Sequence, residues 1–385
     1  MLRLYDTRRR VIAPVGARGR QITMYVCGVT PYDTTHLGHA RTFLTFDVIA
    51  RLLEATGHPV RYVQNVTDID ESILQRAARD NVGWRELGTR EERSYLADMK
   101  QLGWRRPDVL CHATKEFPAM FALIRDLERR KAAYVLPRGV YFPVAAYKRY
   151  GELSRLSAAA MERILAGQDD AKLEDPGRRD PRDFALWRFV DEGPTWPSNW
   201  GRGRPGWHLE CSAMIRHHLG DQIDIHGGGA DLIYPHHENE IAQSETATGK
   251  RPFARTWAHV APMELGGKKM SKSDGNMVFV RDALKTTDPR ALRLYLLDRH
   301  YRKAFDHDEA LLDRARLRAK ALADALGRGR VGPIGRDAAS GSALAALQND
   351  LDARRAMRII ESAAPRADPD QRASLRALAR ILGIA

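Results

Sequence analysis

The run His36-Leu37-Gly38-His39 lies between a strand-like segment and a long amphipathic segment, and this arrangement constrains the fold most strongly. The strand-like segment is Ile22 to Val26. The amphipathic segment continues to about Ala55, and Gly57 supplies a helix stop before the β-rich run 60–66. This order predicts a βαβ unit at the start of a parallel, doubly wound sheet. Both imidazoles are then expected at a helix N-terminus, where the helix dipole and the free amides stabilise polyphosphate charge.

A second basic run lies far downstream, in Lys269-Met270-Ser271-Lys272-Ser273. Glycines flank it at positions 266, 267 and 275, so we expect a mobile loop. Two ammonium groups on such a loop can neutralise the charge that develops on an α-phosphate and on departing pyrophosphate. Either motif alone is also explained as an ordinary turn or a solvated surface. Their order after a strand favours an enzyme that activates a carboxylate with ATP.

Further motifs together resemble the cysteinyl-tRNA synthetase family over roughly the first three hundred residues. The matching runs are Cys27-Gly28, His36–His39, Gly206-Trp207-His208, Glu210-Cys211-Ser212 and Pro235–Glu240. The resemblance implies a class I synthetase-type α/β fold: a doubly wound, Rossmann-like parallel sheet with an insertion and a C-terminal helical bundle. It also implies that a cysteine carboxylate attacks the α-phosphate of Mg-ATP to give cysteinyl adenylate. The transition state would be stabilised by His36, His39, Lys269 and Lys272.

The same resemblance implies a zinc site made by Cys27, Cys211, His236 and Glu240. The residue types suit zinc, and the His236–Glu240 spacing of four places both on one helical face. Zinc would hold the substrate sulfur as a thiolate and thereby reject serine without an editing domain. Each cysteine alone is equally well explained as a small buried hydrophobe. Cys111 lacks such companions and is expected to be structural.

A glycine triplet before Asp231 predicts close approach of the backbone to a nucleotide, with the carboxylate placed to accept from ribose hydroxyls or a substrate ammonium. A glycine triplet by itself is often only a turn. The resemblance adds further residues expected to contact the cysteinyl adenylate. The complete expected set is Gly28, Thr30, Thr42, Asn65, Thr67, Trp207, His226, Gly228, Gly229, Asp231 and Met263.

Composition limits the class of protein but not its acceptor. The 385 residues suffice for one large core and a smaller second one. Three cysteines make a disulfide framework improbable, and no stretch has the length of a signal peptide core or a membrane span. We therefore expect a cytoplasmic monomer without a membrane partner. The net charge of +13 suits ATP or tRNA, but the arginines are scattered over helical faces, so it carries little weight.

The sequence divides into four parts. Residues 1–115 and 184–287 are expected to form the two halves of the catalytic domain, with 116–183 as a connective insertion between them. Residues 288–385 are expected to form a helical domain without a separate anticodon-binding module. Asp288-Pro289 predicts a helix start, and further helices are predicted near 308–326, 342–364 and 370–382.

The acceptor of the activated cysteine is the open question. The mycothiol-pathway ligase, a relative within the family, joins cysteine to the amine of an inositol-linked glucosamine. The short tail after Ser273 and the runs 30–40 and 84–88 resemble that ligase and favour a small amine. Glu240, His226, Arg41 and the run 150–154 resemble the tRNA enzyme instead, so tRNA(Cys) stays as the alternative. A catalytically inactive relative is the third hypothesis, but no signature or zinc residue has been lost.

Overall fold

A five-stranded parallel sheet forms the centre of the computed structural model, which describes residues 1–17, 19–33, 35–168, 173–270, 275–335 and 337–385. The strand order is β11-β10-β3-β4-β5, with every neighbouring pair parallel. The bounds are β3 Ile22–Val29, β4 Val60–Val66, β5 Val109–His112, β10 Ile223–Gly229 and β11 Ala254–Val260. A small hairpin, β1 Arg3–Asp6 with β2 Val11–Pro14, precedes the sheet.

The predicted βαβ unit is confirmed, since helix α1, Leu37–Ala55, connects β3 to the parallel strand β4. The helix begins where the side chain of His36 accepts hydrogen bonds from free amides of the first turn. It ends at Thr56, and Gly57 follows with a φ of 84°, in the left-handed region that favours glycine. Both ends of the helix are therefore set by local sequence.

Helices cover both faces of the sheet, as a doubly wound fold requires. Along β3, Ile22, Met24 and Val26 enter one hydrophobic core, whereas Tyr25 and Cys27 enter the other. This alternation follows the two-residue period of a strand. The first core contains α1 and most of the C-terminal helices, and the second contains α4 Phe117–Arg129, α6 Trp207–Leu219 and α7 Glu238–Thr248. Helices α2 Glu71–Arg79 and α3 Trp84–Gln101 lie between β4 and β5 in the chain.

The region predicted as an insertion contains an antiparallel sheet of order β6-β7-β8-β9. Its strands are β6 Tyr134–Leu136, β7 Gly139–Phe142, β8 Phe184–Phe189 and β9 Gly203–Pro205, and helix α5, Ala158–Ala166, precedes β8. This sheet continues past the predicted boundary at residue 183, because β8 pairs with β7 on one side and with β9 on the other. Helix α4 packs against α6 and α7 of the catalytic domain.

The second half of the chain ends in helices, as predicted. A three-stranded sheet contains β12 Met263–Leu265, β13 Lys268–Lys269 and β14 Phe305–Asp306. Helices α8 Val280–Ala283 and α9 Pro289–Leu297 lie in the chain between β13 and β14. The remaining helices are α10 Glu309–Leu326, α11 Ala338–Gln348, α12 Ala353–Ala363 and α13 Pro369–Leu382. Asp288 caps α9 through its side chain, which confirms the predicted helix start.

The single helix predicted over 342–364 is wrong, since two helices separated by residues 349–352 replace it. Asp350 lies in this break with a φ of 57°. Its carboxylate accepts hydrogen bonds from the backbone N of Tyr5 at 2.9 Å, the hydroxyl of Tyr301 at 2.6 Å and Nε of Arg302 at 2.8 Å. These hydrogen bonds to distant residues stabilise the break between the two helices.

Two buried arginines join α1 to the rest of the protein. Arg41 donates to four backbone oxygens, those of residues 261, 262, 300 and 303. Arg293 of α9 forms an ion pair with Asp47 of α1, and both side chains are fully buried. Across the described residues, no helix combines the length and the apolar character that a membrane span needs.

Candidate active site and metal cluster

The two signature histidines lie together at the start of α1, as predicted. Nδ1 of His36 accepts from the backbone N of Gly38 at 3.1 Å and of His39 at 3.4 Å. The two imidazole rings stack with their centroids 3.8 Å apart. The helix N-terminus and two adjacent imidazoles thus form a place that is suited to bind phosphate.

The chain that follows the lysine loop docks on this histidine pair. The backbone N of Leu37 donates to the carbonyl of Val278 at 2.9 Å, and the backbone N of Val280 donates to the carbonyl of Thr35 at 2.8 Å. His36 also forms an isolated antiparallel bridge with Phe279. The two halves of the signature, separated by more than two hundred residues, therefore meet in space.

The lysine loop begins as a hairpin of β12 and β13, which turns at Gly266 and Gly267, with φ values of 63° and 74°. Nζ of Lys269 lies 2.8 Å from Oδ2 of Asp231, so the loop contacts the end of the glycine triplet. Lys272 lies outside the described residues. Met263 is buried at the base of the hairpin, where its carbonyl accepts from the backbone N of Met270 at 2.9 Å.

The four residues predicted to hold zinc form one buried cluster. The Sγ atoms of Cys27 and Cys211 are 3.8 Å apart, and Nε2 of His236 lies 3.3 Å from Sγ of Cys211. Oε1 of Glu240 lies 3.1 Å from Nε2 of His236 and 3.8 Å from Sγ of Cys27. These donor atoms all lie within 4.8 Å of one another.

This donor set fits tetrahedral zinc. Zn–S bonds of about 2.3 Å at tetrahedral angles separate two sulfur atoms by roughly 3.8 Å, and nitrogen and oxygen donors lie slightly closer. The side chains come from different elements: Cys27 from β3, Cys211 from α6, Glu240 from α7, and His236 from the irregular turn that precedes α7. The fold therefore gathers a donor set whose spacing matches the ion.

Burial keeps the cluster uncharged at its cysteine and histidine positions while no cation is bound. It raises the pKa of the Cys27 thiol well above its usual value and also raises the pKa of Cys211. It lowers the pKa of His236 to about 3, so that this imidazole is neutral at physiological pH. A divalent cation would displace the thiol protons and find the imidazole ready to bind.

A shell of imidazoles surrounds the cluster. Three of them, on His208, His237 and His259, were not predicted as site residues from the sequence. Nδ1 of His208 lies 3.0 Å from Nδ1 of His236, which leaves Nε2 of His236 directed toward Cys211. Nε2 of His237 lies 3.3 Å from Sγ of Cys27, and its Nδ1 lies 2.7 Å from Nε2 of His259. His237 directly follows the predicted ligand, which is a local signal. No comparable signal identifies His208 or His259.

His226 also belongs to this buried shell. Its Nε2 lies 3.0 Å from Oε2 of Glu240, and both side chains are fully buried. Together with Cys27 and His237 they form a second set of donors that overlaps the first. His226, which was predicted to contact the adenylate, therefore orients a carboxylate of the candidate metal cluster.

A chain of hydrogen bonds runs from Gly28, the neighbour of Cys27 in sequence, to Glu210, the neighbour of Cys211. The backbone N of Gly28 donates to Oδ1 of Asn65 at 2.8 Å, Nδ2 of Asn65 donates to Oγ1 of Thr67 at 3.1 Å, and Thr67 donates to Oε2 of Glu210 at 3.1 Å. Burial raises the pKa of Glu210 well above its usual range, so the carboxyl is held in its neutral form. A Cβ atom at position 28 would lie 1.8 Å from the carbonyl oxygen of Asn65, so this approach requires glycine.

The other residues predicted for the pocket lie at the carboxyl ends of β3 and β10 or at helix starts nearby. Thr42 donates to the carbonyl of Gly38 at 3.0 Å, and the ring of Trp207 stacks on His236 at 4.3 Å. Thr30 directly follows β3, and Gly228 and Gly229 end β10. In open parallel sheets, ligands bind at this edge.

The sequence of residues 14–317 matches the profile of the class I tRNA synthetase (C) catalytic domain. Two kinds of curated relative are similar to the chain. The L-cysteine:1D-myo-inositol 2-amino-2-deoxy-α-D-glucopyranoside ligase of Nocardia farcinica is 47% identical over 322 residues, which is 82% of this chain and 77% of the relative. The ligase of the same name from Tsukamurella paurometabola is 43% identical over 401 aligned positions, which cover 100% of this chain and 95% of the relative. The cysteine–tRNA ligase of Gloeothece citriformis is 44% identical over 317 residues, 82% of this chain and 65% of the relative.

Solved structures of class I synthetases share the fold at low sequence identity. The methionyl-tRNA synthetase of Mycobacterium tuberculosis with methionyl-adenylate superimposes with a TM-score of 0.63 at 16% identity, covering 95% of this chain and 90% of that one. The leucyl enzyme agnB2 of Agrobacterium radiobacter K84, solved with tRNA and LeuAMS, gives a TM-score of 0.66 at 12% identity, with 96% and 84% covered.

Proposed function

Because the chain belongs to the class I cysteinyl-tRNA synthetase family, we propose that it transfers metal-bound cysteine to the amine of a small aminosugar-type acceptor. The chain is an ATP-dependent, AMP-forming cysteine ligase of this family. The observation that carries the cysteine-selecting part of the proposal is the buried cluster of Cys27, Cys211, His236 and Glu240 beside the carboxyl edge of the sheet. It supplies a thiol-selective site next to a site suited to phosphate.

In the proposed first step, the carboxylate of cysteine attacks the α-phosphate of Mg-ATP and pyrophosphate leaves. His36 and His39 stabilise the α-phosphate from the helix N-terminus, with the stacked geometry described above. Lys269 reaches the same edge of the sheet, and we assign Lys272 of the same loop to the departing pyrophosphate. The lysines act by charge and position, and no protein nucleophile is required.

The ion that fits the cluster is zinc, which when bound supplies a Lewis acid that favours the substrate sulfur as a thiolate. The residues around it have separate tasks. Trp207 stacks on His236 and closes one side of the cluster, while His208 fixes which nitrogen of His236 faces inward. His226 holds Glu240 from behind. A hydroxyl in place of the thiol is a poorer soft ligand and is harder to deprotonate, so serine is rejected at this step.

The second step transfers the cysteinyl group from AMP to the acceptor. The alignment with the Tsukamurella ligase extends over the whole chain, including helices α10 to α13. The alignment with the Gloeothece tRNA ligase extends over 82% of this chain and 65% of the relative. The helical C-terminal part is therefore shared with the aminosugar ligase at full length, which supports 1D-myo-inositol 2-amino-2-deoxy-α-D-glucopyranoside as the acceptor.

The tRNA alternative has its own support. Identity to the cysteine–tRNA ligase, 44%, is close to the 43–47% found with the aminosugar ligases. Glu240 lies within the cluster and pairs with His226. The presence of these two residues resembles the tRNA enzyme. Cysteine–tRNA ligation is therefore the second candidate function.

The destination of labelled cysteine distinguishes the two. The purified chain is incubated with ATP and ³⁵S-cysteine, with either total tRNA or the inositol-linked aminosugar. We expect the label in a new low-mass amide, with none in acid-precipitable, RNase-sensitive material. Label on RNase-sensitive material alone would establish tRNA ligation and overturn the proposed acceptor. The variant Cys211→Ser is expected to form neither product. The control His112→Gln, which changes a His–Glu pair outside the site, is expected to form the same product as the wild type.

A further inference from the structure

A second group of side chains that could hold a metal ion lies outside the active site. Glu116 immediately precedes α4, and His217 and His218 lie in the last turn of α6. Oε2 of Glu116 is 2.6 Å from Nδ1 of His217, and Oε1 is 2.8 Å from Nε2 of His218. The donor atoms of the three side chains all lie within 4.8 Å of one another. The reaction described above uses none of them.

The convergence of the two imidazoles is unusual for neighbouring residues of a helix. Consecutive helical side chains point about 100° apart, because a turn contains about 3.6 residues. Here the rings of His217 and His218 instead stack, with centroids 4.4 Å apart and planes 28° apart. Each ring presents one nitrogen to a different oxygen of the same carboxylate. The end of α6 thus directs two imidazole donors to the one carboxylate that precedes α4.

The local charge favours a cation at that point. Glu116 is 7% exposed, so its carboxylate is held largely away from water, with a histidine on each oxygen. The carbonyl end of the α6 dipole adds partial negative charge at the imidazoles, and the amide end of α4 adds partial positive charge beside the Glu116 carboxylate. The neighbouring cation Arg216 is already paired, with Asp126 and with Oδ1 of Asp221 at 3.1 Å.

The site is also accessible and distinct from the cysteine cluster. The His217 side chain is 57% exposed, which leaves room for water ligands and for the approach of an ion. Cys211 precedes His217 by six residues on the same helix, about 9 Å along its axis at 1.5 Å per residue. The two donor sets have no residue in common.

We propose that Glu116, His217 and His218 bind a divalent first-row transition-metal ion, with water completing its coordination. Two imidazoles and one carboxylate are donors that Zn²⁺, Co²⁺ and Ni²⁺ share, and oxygen-preferring ions such as Mg²⁺ bind them poorly. Each imidazole would offer the nitrogen that faces the carboxylate as a lone-pair donor and carry its proton on the other ring nitrogen. The bound ion also links the start of α4 to the end of α6, the helix that carries Trp207 and Cys211 at its other end.

Cobalt binding to the full, tag-free chain tests the proposal. Metal is stripped with a chelator, Co²⁺ is added until the thiolate-to-cobalt absorption of the cysteine cluster is saturated, and the bound metal is counted after equilibrium dialysis. The wild type is expected to bind two equivalents. His217→Gln is expected to bind one and to retain the full thiolate-to-cobalt band, because only the site without sulfur is lost.

Two further variants make the result interpretable. Glu116→Gln keeps the shape of the side chain and is expected to lose the same equivalent as His217→Gln. The matched control is His112→Gln, since His112 pairs with Glu92 at 3.0 Å but has no second imidazole, and it is expected to keep two equivalents. A wild type that shows the full thiolate-to-cobalt band but binds only one equivalent, or a His217→Gln variant that retains two, contradicts the proposal.

Discussion

Replacing Arg293 by methionine tests how the C-terminal helices are joined to the helix that carries the signature histidines. The guanidinium of Arg293 donates to the carbonyl of Leu382 at 2.5 Å and to that of Leu102 at 3.1 Å, and it pairs with Asp47. Both members of this ion pair are fully buried. Methionine fills much of the volume but leaves a buried carboxylate and two buried carbonyl groups without this donor.

The expected loss follows from what Asp47 retains. Removing one member of a buried ion pair costs about 3–5 kcal/mol when the other is left without compensation. Asp47 still accepts from Nε of Arg51 at 2.8 Å and from the backbone N of Arg105 at 2.6 Å, so we expect the lower end, about 3 kcal/mol. This corresponds to roughly a 150-fold change in the unfolding equilibrium constant.

Urea unfolding followed by far-ultraviolet circular dichroism measures this change. The matched control is Arg290→Met on the same helix, because Arg290 is half exposed and pairs with Asp288 at the surface. Such a surface change is expected to stay within about 0.5 kcal/mol of the wild type. If Arg293→Met also stays within about 1 kcal/mol, the reasoning that this ion pair holds the two regions together is refuted.

Three other changes have defined outcomes. Gly28→Ala places a Cβ 1.8 Å from the carbonyl oxygen of Asn65, so cysteine-dependent ATP–pyrophosphate exchange is expected to fall at least about tenfold, whereas Gly16→Ala, with open space around it, leaves the rate unchanged. Burial raises the pKa of Asp98 to about 6, against roughly 3.9 in the unfolded chain. The folded state therefore binds the proton more tightly, and stability falls by up to about 2–3 kcal/mol as the pH rises from 4 to 7. The variant Asp98→Asn is expected to lose this dependence in urea titrations. Burial also raises the pKa of both thiols in the cysteine cluster, so calorimetry in buffers of different ionisation enthalpy is expected to find about two protons released per zinc bound near pH 7.

Features that depend on neighbouring residues could be predicted from the sequence. The βαβ unit around His36 follows from a strand pattern, a helix pattern and a terminating glycine. The start of α9 follows from the cap Asp288. The motifs of the family also gathered Cys27 and three distant residues into one predicted site, and the fold places all four together.

Features that depend on distant partners could not be predicted in this way. The break between α11 and α12 is stabilised by Tyr5 and Tyr301, which lie far from Asp350 in the sequence. His259 reaches His237 because β11 lies beside β10 in the sheet, a register that no local pattern reports. The sheet of the insertion passes the predicted boundary because pairing of β7 with β8 is a tertiary property.

Amino-acid discrimination in ATP–pyrophosphate exchange tests most directly the claim that the cysteine cluster selects the substrate. Exchange is measured with cysteine and with serine at equal concentrations, for the wild type and for Cys27→Ser, with the zinc content of each sample determined. We expect the wild type to catalyse exchange with cysteine and essentially none with serine. The Cys27→Ser variant is expected to lose both its zinc and its exchange activity. Comparable exchange with serine, or full cysteine-dependent exchange in a zinc-free variant, would contradict this claim.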